Sequence, residues 1–177
     1  MRVELLEGSR VLVDLRATGL LRAVGHDPTL AARPDPVAIE VEGETLDVPL
    51  TVRFPATSIE PPRDIPSSDR EKMRENLLGR DVLDANRHPA VEFRGRYSGT
   101  LDAGRLAGDL SIRGALRRLE MPVSIRREGD AFVATGTWEG RLTDLGVKPF
   151  KALLGALKLE DWARLRLDAR LGPPGDR

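Results

Sequence analysis

Two histidines, His26 and His88, carry the most versatile side-chain chemistry in this sequence of 177 residues. Two imidazole groups could bind a metal ion, but the chain has no cysteine, so aspartate or glutamate would have to complete the site. No HExxH spacing or comparable ligand pattern is present. We therefore expect neither a metal site nor a cofactor.

His26 and Asp27 stand together in the segment Gly25-His26-Asp27-Pro28. Glycine permits an unusual backbone conformation, and proline biases the residue before it toward an extended one. These two polar side chains could contact the polar end of a ligand at the mouth of a channel. They could equally satisfy the backbone groups of a local turn.

Nucleophilic catalysis needs an activated serine or cysteine beside a base. The sequence has no GxSxG motif, and four serines in or at the ends of predicted strands have no histidine next to them in sequence: Ser58, Ser98, Ser111 and Ser124. Neither a phosphate-binding loop nor a dinucleotide-binding glycine motif is present. We expect a protein without catalytic activity.

Composition argues against several other classes of protein. The 28 basic and 28 acidic residues give zero net charge, which disfavours nucleic-acid binding. The N-terminal residues contain no apolar run of signal-peptide length, and no stretch reaches the roughly 18 apolar residues of a membrane span. We therefore expect a cytoplasmic protein that forms no disulfides.

Alternation of apolar and polar residues predicts an all-β protein. The predicted strands lie near 10–17, 37–42, 46–54, 90–98, 106–112, 121–125, 131–141 and 158–171. Most are joined by short turns, and residues 40–54 are predicted to form part of a hairpin. A meandering antiparallel sheet of this size favours closure into a barrel, because closure removes exposed edges. A sandwich is the alternative that periodicity supports nearly as well.

Two short helices are predicted between the strands. The first begins at Ser68, which forms a capping-box pattern with Glu71, and ends before Gly79. The second spans 149–158, where apolar residues recur at helical spacing beside three lysines. Its lysines could make a transient contact with an anionic membrane surface. The alternative is that its leucines pack on the barrel.

The residues predicted to point into the barrel form the candidate ligand-binding surface. With the polar pair at 26–27 added, the set is Val13, Leu15, His26, Asp27, Ile39, Val48, Leu50, Val52, Phe93, Leu110, Ile112, Val123, Phe132 and Trp138. A hollow interior lined in this way would hold an apolar chain, since each buried methylene contributes about 0.8 kcal/mol. A filled interior would be an ordinary packed core.

Several short motifs occur in an order that resembles the YceI-like family. They are Gly25-His26-Asp27, Thr57-Ser58-Ile59, Asp69-Arg70 with Leu77 downstream, His88-Pro89-Ala90-Val91-Glu92-Phe93, Gly108-Asp109-Leu110-Ser111-Ile112-Arg113-Gly114, Pro122-Val123 and Thr143-Asp144-Leu145-Gly146-Val147. The resemblance covers residues 10–171. It implies one antiparallel, lipocalin-like β-barrel domain of about eight strands over 1–171, with one or two short helices. The Gly-Pro-Pro-Gly run predicts a disordered tail over 172–177.

The resemblance also implies a function, because many members of this bacterial family bind polyisoprenoid lipids in an apolar channel. We therefore expect a carrier of an apolar, isoprenoid-like lipid that performs no catalysis. The alternative is a structural or stress-related protein-interaction module with a filled barrel core. A homodimer that pairs through a barrel edge or end is left open.

Overall fold

The computed structural model describes residues 1–18, 27–152 and 157–175. Within them the chain forms eleven strands, one α-helix and two 3₁₀ turns. The helix is α1 (Ser67–Leu78), and the turns are Ala56–Ser58 and Leu142–Leu145. The strands are β1 (Arg2–Leu5), β2 (Arg10–Thr18), β3 (Thr29–Ala32), β4 (Ala38–Glu40), β5 (Leu46–Pro55), β6 (Ala90–Gly99), β7 (Ala103–Ile112), β8 (Ala115–Glu128), β9 (Ala131–Gly140), β10 (Lys151–Ala152) and β11 (Leu157–Gly172).

Eight of these strands form one continuous antiparallel sheet in the order β3-β2-β11-β9-β8-β7-β6-β5. Three short strands lie off this path, since β1 pairs with β11 and β4, and β10 pairs with β11. The sheet curls into a lipocalin-like barrel wall. The predicted all-β, antiparallel barrel of about eight strands is therefore confirmed, and the sandwich alternative is wrong.

Backbone hydrogen bonds tie together the two ends of the curled sheet. Ala31 in β3 and Glu60, which follows β5, exchange N–H···O bonds of 3.1 and 2.8 Å. Beyond β3, the N–H of Asp35 donates to the carbonyl of Arg53 in β5 at 2.7 Å. These bonds satisfy edge groups that an open sheet would expose.

The predicted hairpin over 40–54 is wrong, because β4 does not pair with β5. It pairs instead with β1, in a register that places Val3 opposite Ile39. The alternation of one strand predicts its two faces but not its partner, and β1 lies almost forty residues away. The sequence also gave no indication of β1 and β3, which are short and carry few β-branched residues.

The first predicted helix exists, but its predicted N-cap is wrong. It begins at Ser67 with Pro66 as the capping residue, and no side chain caps it. Ser68 therefore lies inside the first turn of the helix. Pro66, whose φ angle is −54°, precedes this turn and sets the direction in which the chain enters the helix. Met73 and Leu77 form the buried face, and the helix ends before Gly79 as predicted.

The second predicted helix, over 149–158, is wrong at both of its ends. Lys151–Ala152 is a strand, and Lys151 pairs antiparallel with Lys158 at the start of β11. Residues 153–156 lie outside the described residues. Lys158 also lies opposite Thr18 of β2, and apolar spacing over only ten residues does not encode this long-range pairing.

Two glycines allow β6 and β7 to approach each other closely. Gly95 and Gly108 are directly opposite in the register. A Cβ atom on Gly108 would lie 2.3 Å from the carbonyl oxygen of Arg94 and 2.5 Å from the Cα of Gly95. Because both obstacles are backbone atoms, a side chain at this position would force the strands apart.

Substitution of Gly108 by alanine is expected to destabilise the barrel. We expect Gly108→Ala to lower the free energy of unfolding by about 1–2 kcal/mol, in the range of other overpacking changes. Urea denaturation measures this loss. Gly175→Ala is the control, because a Cβ atom there meets nothing within 4 Å. Equal stability of the two variants would contradict the close-approach argument.

Candidate functional site: an apolar cavity inside the barrel

The concave face of the sheet encloses a cavity of about 310 Å³. Alternate residues of the strands supply its wall, so β2 contributes Val11, Val13 and Leu15, whereas Asp14 between them faces outward. The volume lies at the lower end of the roughly 300–1,000 Å³ typical of small-molecule sites. The interior of the barrel is thus hollow enough for an apolar guest.

Almost every lining side chain among the described residues is apolar. The exceptions are Ser9, Arg10 and Tyr97. The hydroxyl of Tyr97 donates to the carbonyl of Thr100 at 2.6 Å, and the hydroxyl of Ser9 both donates to and accepts from the backbone of Arg170. Because these hydroxyls already form hydrogen bonds with the backbone, the wall offers a ligand mainly apolar contacts.

Most of the residues predicted to face inward do line the cavity. They are Val13, Leu15, Ile39, Val48, Leu50, Val52, Phe93, Leu110, Ile112, Val123 and Phe132. Trp138 does not, because its ring lies over Gly140, where a Cβ atom would be 2.6 Å from Trp138 Cζ2. Whether the eleven residues bind a ligand stays a prediction.

Asp27, the described member of the polar pair at 26–27, does not line the cavity. Asp27 accepts a hydrogen bond from the backbone N–H of Ala17 at 3.0 Å, through its Oδ1 atom. This is the role of a side chain that satisfies a local turn, which was the alternative interpretation. His26 lies outside the described residues.

Two groups of lining residues were not predicted from the sequence. One group lies on α1 and in the loop after it, and the other lies in the Leu142–Leu145 turn and the residues that follow it. They are Leu77, Val82, Leu83, Leu142, Leu145 and Val147. They lie across the end of the barrel where β5 and β9 finish. Leu77 lies on the buried face of the predicted helix α1, whereas the others are apolar residues within otherwise polar segments. Neither signal says that a residue reaches the cavity.

The described ranges contain no group of three or more His, Cys, Asp or Glu side chains that could hold a metal ion. His88 lies outside the cavity lining, beside the turn at Gly114, where a Cβ atom would be 3.2 Å from its Cε1. No helix in the described part of the chain is long and apolar enough to span a membrane.

A buried ionic cluster holds the outer side of the cavity wall. Asp14 is only 7% exposed and accepts hydrogen bonds from Arg164 at 2.9 Å, from Arg166 at 2.7 Å and from the hydroxyl of Thr29 at 2.8 Å. Burial raises the pKa of Asp14, but the bonds from Arg166, Arg164 and Thr29 outweigh it and lower the pKa to about 2. The cluster cross-links β2, β3 and β11 behind the lining residues.

Comparison with known proteins gives one family and one fold. A family model of the YceI-like domain matches residues 22–171. The crystal structure of Burkholderia cenocepacia BcnA is similar in fold, with a TM-score of 0.63 and 14% identity over 92% of this chain and 95% of that chain. No curated protein sequence matches this chain closely enough to count as a relative.

The YceI protein of Campylobacter jejuni is also similar in structure. Its crystal structure gives a TM-score of 0.55 and 15% identity over 82% of each chain. A mutant of that protein with a monobromobimane guest gives a TM-score of 0.58 and 13% identity, again over 82% of each chain. At such identities these structures establish the fold alone. Because the family model covers most of the sequence, the chain belongs to the YceI-like family.

Proposed function

We propose that this protein binds a single apolar lipid chain of the polyisoprenoid class inside its barrel and carries it without chemical change. The observation that supports the proposal is the apolar cavity of about 310 Å³, whose described lining is apolar on nearly every strand. Membership of the YceI-like family adds to it, since that family is a binding-type barrel and not a known enzyme family.

Apolar burial alone can supply useful affinity in such a site. Burying about 15 carbons would contribute about 12 kcal/mol, at about 0.8 kcal/mol for each methylene. An association cost of about 4 kcal/mol leaves about 8 kcal/mol, which corresponds to micromolar binding. The proposal therefore needs no specific polar contact with the lipid.

The hollow interior does not support the alternative function, which is an interaction module with a filled barrel core. The predicted membrane contact rested on a helix over 149–158, so we do not carry it into the proposal. The homodimer and the cytoplasmic location stay predictions from the sequence, which gel filtration and cell fractionation would check.

Thermal unfolding with an added prenyl alcohol tests the proposal. We expect a C20 prenyl alcohol, present at about 100 times its dissociation constant, to stabilise the protein by about 2.7 kcal/mol. That corresponds to a rise in Tm of about 5 °C or more for a chain of this size. The C5 prenyl alcohol is the control, because it has the same head group but buries too few carbons. A Tm that the C20 alcohol leaves unchanged would contradict the proposal.

A further inference from the structure

One end of the barrel opens the cavity to solvent. Met1 and Leu101 both line the cavity, yet they are 59% and 36% exposed. They are two of the three exposed large apolar residues in the described chain, and the third, Leu116, does not line the cavity. We call this opening the mouth.

Four turns surround the mouth, because the register brings the same ends of the strands together. They are the turns β1–β2, β4–β5, β6–β7 and β8–β9. Each carries at least one exposed carboxylate, and we call the five together the acidic rim: Glu7, Glu42, Glu44, Asp102 and Asp130. Lining residues flank every one of these turns, such as Val41 and Leu46 on either side of β4–β5.

The acidic rim is not neutralised by nearby cations. Within residues 1–18, 27–152 and 157–175, none of its carboxylates forms an ion pair, whereas most other acidic residues on the sheet do. Three arginines near this end already form ion pairs: Arg2 with Glu4 and Glu40, and Arg126 and Arg170 with Glu128. The other cations at this end of the described chain are the Met1 ammonium group, which donates to the carbonyl of Val41, and Arg127, which donates to that of Gly129. Among the described residues, five carboxylates outside ion pairs therefore face two cations outside ion pairs around the mouth.

The cations of the described cavity wall already have partners within the protein. Two residues of the described lining carry a positive charge. The Arg10 guanidinium group is 3.7 Å from the carboxylate of Asp168 on the outer face, and the Met1 ammonium group donates to the carbonyl of Val41 at 2.7 Å. A phosphate that entered the cavity would leave water without gaining a counter-charge, which is strongly unfavourable. A phosphate that stayed at the mouth would face the acidic rim.

We infer that the cavity takes prenyl lipids whose head group is uncharged, such as prenyl alcohols, and discriminates against the corresponding phosphates. The inference rests on the proposed function and adds the class of head group to it. The rim also acts on a lining residue: burial raises the pKa of Tyr97, and the negative charge of Asp102 raises it further.

A matched pair of ligands tests the inference, namely a C20 prenyl alcohol and its monophosphate, titrated as monomers by calorimetry. We expect the alcohol to bind at least about tenfold more tightly at an ionic strength of about 0.01 M, where the Debye length is about 30 Å. At about 0.15 M the screening length falls to about 8 Å, and the ratio should shrink severalfold.

Charge-neutralising variants show whether the rim causes the preference. The triple variant Glu42→Gln, Glu44→Gln, Asp102→Asn should bring the ratio of the two affinities at low salt at least about threefold closer to one. The control is Glu71→Gln, Glu75→Gln, Asp81→Asn, which removes three exposed carboxylates in and after α1, at the opposite end of the barrel. The control should keep the wild-type ratio.

The outcomes separate this inference from the proposed function. Equal binding of the alcohol and the monophosphate, or a ratio that salt and the rim variant do not change, would overturn the inference and leave the proposed function standing. Absence of binding by the C20 alcohol would overturn the proposed function, and the inference would fall with it.

Discussion

Leu167→Trp is expected to weaken binding of a C20 prenyl alcohol by at least about tenfold. Leu167 lies on β11, lines the cavity, and is only half-buried although it faces the interior, so its side chain borders on free space. Its neighbours in the register are Val11 and Gly136. An indole would occupy part of the cavity, and displacing two methylenes already costs about 1.6 kcal/mol.

The same substitution outside the cavity controls for nonspecific effects. Leu116 is 64% exposed beside the turn between β7 and β8 and does not line the cavity, so Leu116→Trp should keep the wild-type affinity. Calorimetric titration of both variants measures the difference, and circular dichroism checks that both are folded. If Leu167→Trp binds as tightly as Leu116→Trp, the cavity is not the binding site.

Asp14→Asn is expected to lower the free energy of unfolding by about 2–3 kcal/mol. Removal of one partner from a buried ion pair costs about 3–5 kcal/mol, and we reduce this range because the side chains of Arg164 and Arg166 are each 42% exposed. The substitution leaves two guanidinium groups beside an uncharged amide. Asp47→Asn is the control, since Asp47 pairs with Arg96 on the exposed surface and should contribute little.

The same carboxylate predicts part of the dependence of stability on pH. The folded pKa of Asp14 is about 2, below its ordinary value of 3.8, so the folded state binds its proton less readily than the unfolded state. Its contribution of about 2 kcal/mol is present above about pH 5 and is lost as the pH falls through 3.8 toward 2. Urea denaturation between pH 6 and 2 should show a smaller acid loss in Asp14→Asn than in the wild type. An identical acid loss would contradict the assignment.

The alternation of side chains predicted the wall of the cavity well, because a strand with one apolar face must bury that face. Val48, Leu50 and Val52 follow this rule on β5, and all three line the cavity. Trp138 follows the same alternation, but its ring lies over Gly140. The periodicity of a strand does not predict the rotamer of a side chain. The prediction of an inward strand face was therefore more reliable than the prediction of any single contact.

Long-range pairing accounts for most of what the sequence could not predict. β4 pairs with β1 and the start of β11 pairs with β2, and in both places a local pattern suggested a different structure. The buried Asp14 gave no signal either, because its partners Arg164 and Arg166 lie about 150 residues away. The acidic rim was hidden for the same reason, since its carboxylates come from four turns that only the register brings together.

Native mass spectrometry of the purified protein, combined with organic extraction of whatever it retains, shows directly whether the barrel carries a lipid. We expect one apolar molecule of the polyisoprenoid class for each chain, and its loss in Leu167→Trp but not in Leu116→Trp. A protein that carries no such molecule, and that gains none when a C20 prenyl alcohol is supplied, would show that the barrel is not a lipid carrier.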